Sequence, residues 1–229
     1  NLISTKFVLL INPIYFFRET NQNGDSLWSQ TFIFDSDTNN YVQTKSRSVQ
    51  QTTDGGYIIT GWTQSSGGIS NWEIFLLKTN QNGDSLWSQT WDNGSRYESH
   101  SVQQTNDGGY IITGTIVINS TNTPISIPPM NYSDFDIFLL KTNDSGIEQW
   151  SQIFSDTSHV GFGYSLQQTN DGGYIITGKI GPDVNQSFDI ILIKTDLQGN
   201  ITSTFNIPTP SSNRKLEKVI DILGRETKP

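Results

Sequence analysis

Charged residues recur at fixed places in this sequence, and acid–base chemistry or cation binding is the chemistry that such residues could support. An Asp-Gly-Gly-Tyr-Ile-Ile-Thr-Gly phrase occurs three times and begins at Asp54, Asp107 and Asp171. A later apolar phrase carries an acidic residue before it and a lysine near its end in every copy. These residues are Glu73, Asp136 and Asp189, and Lys78, Lys141 and Lys194.

Turn geometry explains the Asp-Gly-Gly phrases better than catalysis does, because Asp and Gly tolerate the backbone conformations that tight hairpins require. We therefore expect structural roles for three pairs, which are Asp54 with Gly55, Asp107 with Gly108, and Asp171 with Gly172. The repeated lysines are interpreted as edge or packing side chains. The repeated acidic residues are interpreted as solvated loop ends, in preference to a ring of carboxylates.

The remaining polar residues do not indicate a catalytic or metal centre. The Asn-Gly-Asp turns offer oxygen ligands that suit Ca²⁺, but they lack the alternating carboxylates and the terminal Glu of a calcium loop. The two histidines, His100 and His159, occupy non-equivalent positions, and the chain contains no cysteine. No spacing suggests a base oriented by a third group beside a nucleophile. We expect no catalytic residue, no metal and no cofactor.

The repeat itself predicts the fold. Each Asp-Gly-Gly phrase follows a Gln-Gln-Thr phrase and precedes an apolar phrase such as Ile74–Asn80, which returns at 137–143 and 190–196. One unit is predicted to contain strands at Ser101–Thr105, Tyr110–Thr113 and Ile137–Lys141, followed by a strand that carries Trp150. Four short strands per repeat are typical of a β-propeller blade. The complete absence of alanine, the best helix former, argues further against a helical fold.

We predict an all-β protein, a propeller-like and partial or open array of four-stranded antiparallel blades with about three and a half repeats. The predicted units span residues 14–33, 46–91, 99–154 and 163–206. Residues 1–13 form an N-terminal segment that is either signal-like or part of a repeat. Its apolar stretch is too short for a membrane span, which needs about 20 apolar residues. Residues 207–229 form a linker and tail.

Tryptophans at the fourth-strand position are predicted to pack between neighbouring blades. They are Trp28, Trp87 and Trp150. Asn80, Gly83 and Trp87 resemble, with an offset of one residue, the tryptophan-docking pattern of quinoprotein propellers, which seats an indole between blades. Ser203 stands at this position in the last unit, so its final strand is predicted to be poorly supported.

The tail carries a second resemblance. Residues 219–226, Val-Ile-Asp-Ile-Leu-Gly-Arg-Glu, resemble the opening of the C-terminal sorting domain of type IX secretion substrates, and the Asp-Gly-Gly-Tyr repeats resemble repeats found upstream of such domains. The resemblance implies export, a secreted or cell-surface location, and the secretion machinery as a partner of the tail. The residues that carry it are Val219, Asp221, Leu223, Gly224 and Arg225. This tail departs from the family by stopping after about one strand pair; without the resemblance, residues 216–223 would be a plain amphipathic strand or helix.

Charge and loop variation bear on function. A net charge of −8 gives no basic footprint for nucleic acid. In an up-and-down blade the second-to-third and fourth-to-first connections emerge on one face, here called the variable face, because only these connections differ between units. Variable loops on a rigid scaffold suit ligand recognition; the alternative is that loops simply tolerate insertions. The candidate binding residues on this face are Trp62, Trp72, Trp91, Arg96, Tyr97, Tyr132 and Phe162.

Three functions are compatible with the sequence. The favoured one is a secreted, non-enzymatic binding or adhesion protein whose ligand is a glycan or a surface protein. The second is a purely structural surface array. The third is an extracellular glycan-acting enzyme, which would need two carboxylates about 5–9.5 Å apart.

Overall fold

The computed structural model describes residues 7–11, 14–32, 44–64, 72–91, 95–117, 135–155, 159–182, 187–207, 219–220 and 226–227, and within these ranges it contains β-strands and no helix. The strands are β1 (Phe7–Ile11), β2 (Ile14–Thr20), β3 (Ser26–Phe32), β4 (Thr44–Gln51), β5 (Tyr57–Gln64), β6 (Trp72–Thr79), β7 (Ser85–Trp91), β8 (Arg96–Gln104), β9 (Tyr110–Val117), β10 (Phe135–Thr142), β11 (Glu148–Phe154), β12 (Val160–Gln168), β13 (Tyr174–Gly181), β14 (Asp189–Thr195), β15 (Ile201–Ile207), β16 (Val219–Ile220) and β17 (Glu226–Thr227).

The strands form antiparallel sheets in chain order. Sheet 1 has three strands, β1-β2-β3; sheet 2 is β4-β5-β6-β7, sheet 3 is β8-β9-β10-β11 and sheet 4 is β12-β13-β14-β15. A two-stranded pair, β16-β17, follows. The all-β prediction is confirmed, and the three four-stranded sheets agree with a propeller-like array.

The strand registers are equivalent from sheet to sheet. Lys78 pairs with Trp87 in sheet 2, and Lys141 pairs with Trp150 in sheet 3. In sheet 4 Lys194 pairs with Ser203, so Ser203 does occupy the tryptophan position. The prediction of a poorly supported final strand was wrong, because the backbone pairing of β14 with β15 forms without the indole.

The core lies between the sheets rather than within any one of them. Ile58 and Ile74 of sheet 2 pack with Tyr110, Ile112 and Phe138 of sheet 3 in one buried cluster. A second cluster joins sheets 3 and 4. It contains Ile111, Ile137, Leu139, Leu166, Tyr174, Ile176, Ile191 and Ile193. A third cluster on the other face of sheet 2 contains Tyr57, Ile59, Phe75 and Leu77, and Phe32 of sheet 1 packs against it. The apolar runs of the two inner strands are therefore covered on both faces in sheets 2 and 3, as continuous apolar strands require.

The first sheet and the tail contain further strands. β1 lies within the segment 1–13 and pairs with β2 from Phe7↔Arg18 to Ile11↔Ile14. In the tail Val219 pairs with Thr227, whereas Asp221, Leu223, Gly224 and Arg225 lie outside the described residues. No helix of the described part is long and apolar enough to cross a membrane.

Candidate functional site

The Asp-Gly-Gly turns are locked by the repeated lysines, which approach from the third strand of the same unit. Asp54 Oδ1 accepts a hydrogen bond from Gly56 N at 2.9 Å, which closes the hairpin. Lys78 Nζ lies 2.8 Å from Asp54 Oδ2 and also donates to Thr79 O at 2.8 Å. The same contacts recur in the other units, with Lys141 2.9 Å from Asp107 and Lys194 2.9 Å from Asp171.

This lock assigns structural roles to both repeated residue types. The side chain of Lys78 is 5% exposed and that of Lys141 is 3% exposed, so their ammonium groups depend on the aspartates and on backbone carbonyls for solvation. Asp136 departs from the solvated role expected for it. It is buried, and its Oδ2 accepts a hydrogen bond from Ser155 Oγ at 2.9 Å.

The lock also lowers the pKa of the turn aspartates. The hydrogen bond from Lys78, followed by that from Thr52, lowers the pKa of Asp54 to about 2. Hydrogen bonds from Thr169 and Lys194 lower the pKa of Asp171 to about 2 as well. In Asp107 burial opposes the shift, but Thr105 and Lys141 still hold its pKa below the usual value.

We expect the free energy of unfolding to decrease as the pH falls through a defined acidic range. A carboxylate whose folded pKa is depressed stabilises the protein above its unfolded pKa, and this contribution disappears as the pH falls through the folded pKa. For Asp54 the window runs from pH 3.8 down to about 2. Asp54→Asn should lower the free energy of unfolding by about 1 kcal/mol at pH 7, after discounting for the solvent screening of a half-exposed carboxylate.

Urea denaturation at pH 7, 4 and 2 measures this effect. The difference between the Asp54→Asn variant and the unmodified protein should shrink toward zero at pH 2. Asp84→Asn is a suitable control, because Asp84 lies in an exposed turn of the same sheet and its carboxylate contacts amides rather than a lysine. An equal loss at all three pH values would contradict the assignment.

Three of the predicted binding residues form one stack on the variable face. The rings of Trp62 and Trp72 are parallel, with centroids 3.9 Å apart. The guanidinium carbon of Arg96 lies 3.2 Å from the centroid of the Trp72 ring, and Lys45 Nζ lies 5.2 Å from that of Trp62. Trp62 is only 1% exposed, so its ring does not reach solvent in the described structure. It is therefore the buried ring of the pair, and Trp72 packs on it.

Arg96 is held in this stack by a carboxylate. Its Nη2 donates to Glu98 Oε1 at 3.0 Å, and burial lowers the pKa of Arg96. Burial alone would raise the pKa of Glu98, but contacts with His100 and Arg96 hold it below its usual value. His100 also contacts the next unit, with Nδ1 2.8 Å from Gly163 O. The hydrogen bond to Glu98 therefore holds the guanidinium group of Arg96 against the ring of Trp72, and this contact orients the ring.

Phe162 belongs to a separate aromatic cluster between sheets 3 and 4. Its ring stacks on Phe135 at 5.1 Å and meets Phe188 edge-on at 5.7 Å. Lys179 Nζ lies 4.5 Å from the Phe162 centroid and 4.1 Å from that of Phe188. Cations over aromatic faces are attracted by the ring quadrupole, so this contact stabilises the cluster internally.

Trp91 and Tyr97 both line a groove between sheets 2 and 3. This groove, called the outer groove below, has a volume of about 300 Å³ and a floor of Ile74, Phe138 and Leu140. Its rim on β11 is formed by Glu148, Ser151, Gln152 and Ile153. Tyr97 packs edge-on against Phe138 with centroids 5.4 Å apart, which fixes its ring. The groove thus combines rigid aromatic rings with hydroxyl and carboxylate groups.

The remaining predicted residues divide between packing and undescribed positions. Trp87 lies against Tyr110 of the next unit at 5.8 Å, and Trp150 lies against Tyr174 at 5.9 Å. Tyr132 and the side chain of Trp28 lie outside the described residues. Sequence reasoning missed the rim residues of β11, because nothing in their spacing distinguishes them from the equivalent residues of β7.

No cluster of three or more His, Cys, Asp or Glu side chains that could hold a metal ion occurs in the described part of the chain. No protein-family model matches this chain, and no curated protein matches it.

Proposed function

We propose that this protein is a secreted or cell-surface repeat protein that binds a saccharide in the outer groove and has no catalytic function. The observation that carries the proposal is the convergence of Trp91 from sheet 2 with Tyr97 from sheet 3 over one open, half-apolar groove of about 300 Å³. Ligand sites are typically concave, largely apolar and provided with a few fixed polar groups.

The composition of the groove favours a sugar. A saccharide presents an apolar C–H face and a rim of hydroxyl groups. An aromatic ring can pack against the apolar face, and both rings are held rigidly, which keeps the entropic cost of binding low. Glu148 and Ser151 on β11 can exchange hydrogen bonds with hydroxyl groups, since a carboxylate accepts and a hydroxyl both donates and accepts.

Display outside the cell is the second part of the proposal. It is supported by the resemblance of residues 219–226 to a type IX sorting domain, and the partner there would be the secretion machinery. A fold of locked turns and apolar inter-sheet cores, without cysteine, suits a rigid scaffold that needs no redox control.

Ser151→Ala tests the groove directly, because Ser151 pairs with Leu140 of the groove floor and its side chain lies on the same face of sheet 3. We expect binding to a soluble oligosaccharide probe, identified on a panel of plant, fungal and bacterial oligosaccharides, to weaken at least tenfold, because a lost hydrogen bond in a desolvated groove costs about 1.5 kcal/mol. Isothermal titration calorimetry measures the affinity, and thermal unfolding checks that the melting temperature changes little.

Ser88→Ala is the matched control. Ser88 occupies the position on β7 that Ser151 occupies on β11, but it does not line the outer groove. Equal weakening by both variants would contradict the groove. A protein that binds no member of the panel would favour the structural array instead, and cleavage of the probe would favour the enzyme.

A further inference from the structure

The first strands of sheets 2, 3 and 4 each contain a β-bulge at the same place. Their sequences are Ser-Arg-Ser-Val-Gln-Gln-Thr from Ser46, Ser-His-Ser-Val-Gln-Gln-Thr from Ser99 and Gly-Tyr-Ser-Leu-Gln-Gln-Thr from Gly163. The pairing register shifts between the first and third residues of each phrase, so the second residue is the extra one. These extra residues are Arg47, His100 and Tyr164. The rest of the phrase changes between similar residues, whereas the bulge position takes three chemically unrelated side chains.

A bulge explains how this position can vary while the sheet is preserved. The extra residue of a bulge is left out of the pairing between strands, and bulges re-aim a side chain away from the regular alternation. Here the bulged strands are β4, β8 and β12, which are edge strands of their sheets, and β8 contacts both of the others. The varied side chains of three units are therefore brought close to one another.

One carboxylate lies between two of the bulge residues. Glu98 Oε2 is 4.0 Å from Arg47 Nη2 and 3.7 Å from His100 Nε2, and both distances are longer than a hydrogen bond. The ring centroids of His100 and Tyr164 are 5.4 Å apart. These four residues are called the bulge cluster below. The side chain of Arg47 is 43% exposed and Tyr164 is 44% exposed, so both ends of the cluster face solvent.

More cations than carboxylates meet at this cluster. The second oxygen of Glu98, Oε1, accepts a hydrogen bond from Arg96 Nη2 at 3.0 Å, so two guanidinium groups share one carboxylate. Lys179 Nζ adds a third cation, 5.9 Å from the centroid of the Tyr164 ring. Opposite charges attract at these distances, so the excess of positive charge favours an anion. The exposed guanidinium group of Arg47 is the one placed to contact it.

The Tyr164 ring supplies an apolar surface beside these charges. It contacts the His100 ring and stacks with Phe162, with centroids 6.5 Å apart. His100 is itself fixed, because its Nδ1 donates to Gly163 O at 2.8 Å, and a carbonyl oxygen is an acceptor. A ring held by its neighbours offers contact area at low entropic cost. The cluster thus presents a fixed ring next to an exposed cation.

We propose that the bulge cluster is a second binding site, which takes a ligand that carries a carboxylate next to a ring. The guanidinium group of Arg47 donates two parallel hydrogen bonds to the carboxylate, since the two groups match in shape and charge. The ring of the ligand packs on Tyr164. Acidic sugars and aromatic acids share this chemistry. The residues of the bulge cluster do not line the outer groove, so the site is independent of the saccharide proposed there.

Ligand-observed NMR titrations with galacturonate, benzoate and galactose test this site. Galacturonate carries its carboxylate on a sugar ring and benzoate on an aromatic ring, whereas galactose is the neutral counterpart of galacturonate. Concentrations from about 0.1 mM to about 10 mM cover weak binding at a single site. We expect at least one of the two acids to bind more tightly than galactose, and the tighter acid identifies the kind of ring. Its binding should weaken as the salt concentration rises, because salt screens exposed charges.

Two variants test the assigned contacts. Arg47→Gln should weaken binding of the acid about tenfold or more, because a charge-assisted pair of hydrogen bonds is lost. Tyr164→Ser should weaken it as well, because the ligand ring loses its support. Arg47 and Tyr164 are exposed bulge residues, so thermal unfolding should show little change in melting temperature.

Two controls separate this site from general charge and from the outer groove. Lys45→Gln removes one positive charge from the same strand, at a side chain that lies over Trp62. Ser151→Ala alters the outer groove. Both controls should bind the acid like the unmodified protein. Binding of neither acid, equally tight binding of galactose, full binding by Arg47→Gln or Tyr164→Ser, or equal weakening by Arg47→Gln and either control would each overturn the proposal.

Discussion

Gly114→Ala should lower the free energy of unfolding by about 3 kcal/mol or more, since overpacking a closed core typically costs 1–3 kcal/mol and here the obstacle is backbone. Gly114 ends the Asp-Gly-Gly-Tyr-Ile-Ile-Thr-Gly phrase and lies opposite the bulge between Ser99 and Ser101 in β8. A methyl group there would overlap Glu98 O and come within 2.7 Å of Ser99 Cα. Neither atom can move without opening the first strand of sheet 3.

The matched control is Gly108→Ala in the preceding turn. Gly108 has a φ of 87°, but a Cβ would meet nothing within 4 Å. Its cost is therefore only that of a left-handed backbone for alanine, about 1 kcal/mol. Urea denaturation of the two variants separates crowding from backbone conformation, and an equal loss in both would contradict the crowding argument.

Gly114 also illustrates what the sequence could predict. The repeated phrases predicted the hairpins, the four strands per unit and their order, because local turn chemistry and short apolar runs specify them. The reason for the final glycine was not predictable, because the bulge it faces lies on another strand. Ser203 shows that the sequence also predicted too little structure at one position. The missing indole predicted a poorly supported strand, yet β15 pairs with β14.

The arrangement of the candidate binding residues was less predictable than the fold. Loop variation grouped Trp72, Arg96 and Phe162 on one face, but it could not show that Trp62 is buried beneath Trp72. The position of Trp91 and Tyr97 along one groove depends on how sheet 2 packs on sheet 3, which is tertiary information. The ion pair between Lys78 and Asp54 was missed for the same reason, because 24 residues separate its partners.

Junctions between sheets decide the stability of such a protein, because each unit buries its apolar faces only against its neighbours. Trp87 of sheet 2 lies at one of these junctions. Its indole packs against Tyr110, and a Cβ added to Gly146 would come within 2.6 Å of Trp87 Cζ3, so the ring stands directly on that glycine. Trp150 repeats the arrangement at the next junction, with Tyr174 and Gly199.

Trp87→Ala should therefore lower the free energy of unfolding by about 3 kcal/mol, near the lower end for a large aromatic, because the indole is only partly buried. Leu86→Ala is the control; Leu86 is the adjacent residue, is 56% exposed and should cost less than about 0.5 kcal/mol. Urea denaturation followed by circular dichroism measures both. A loss below about 1 kcal/mol for Trp87→Ala would mean that the indole does not hold sheets 2 and 3 together. In that case the inter-sheet cluster of Ile58, Ile74 and Ile112 would hold the two sheets together instead.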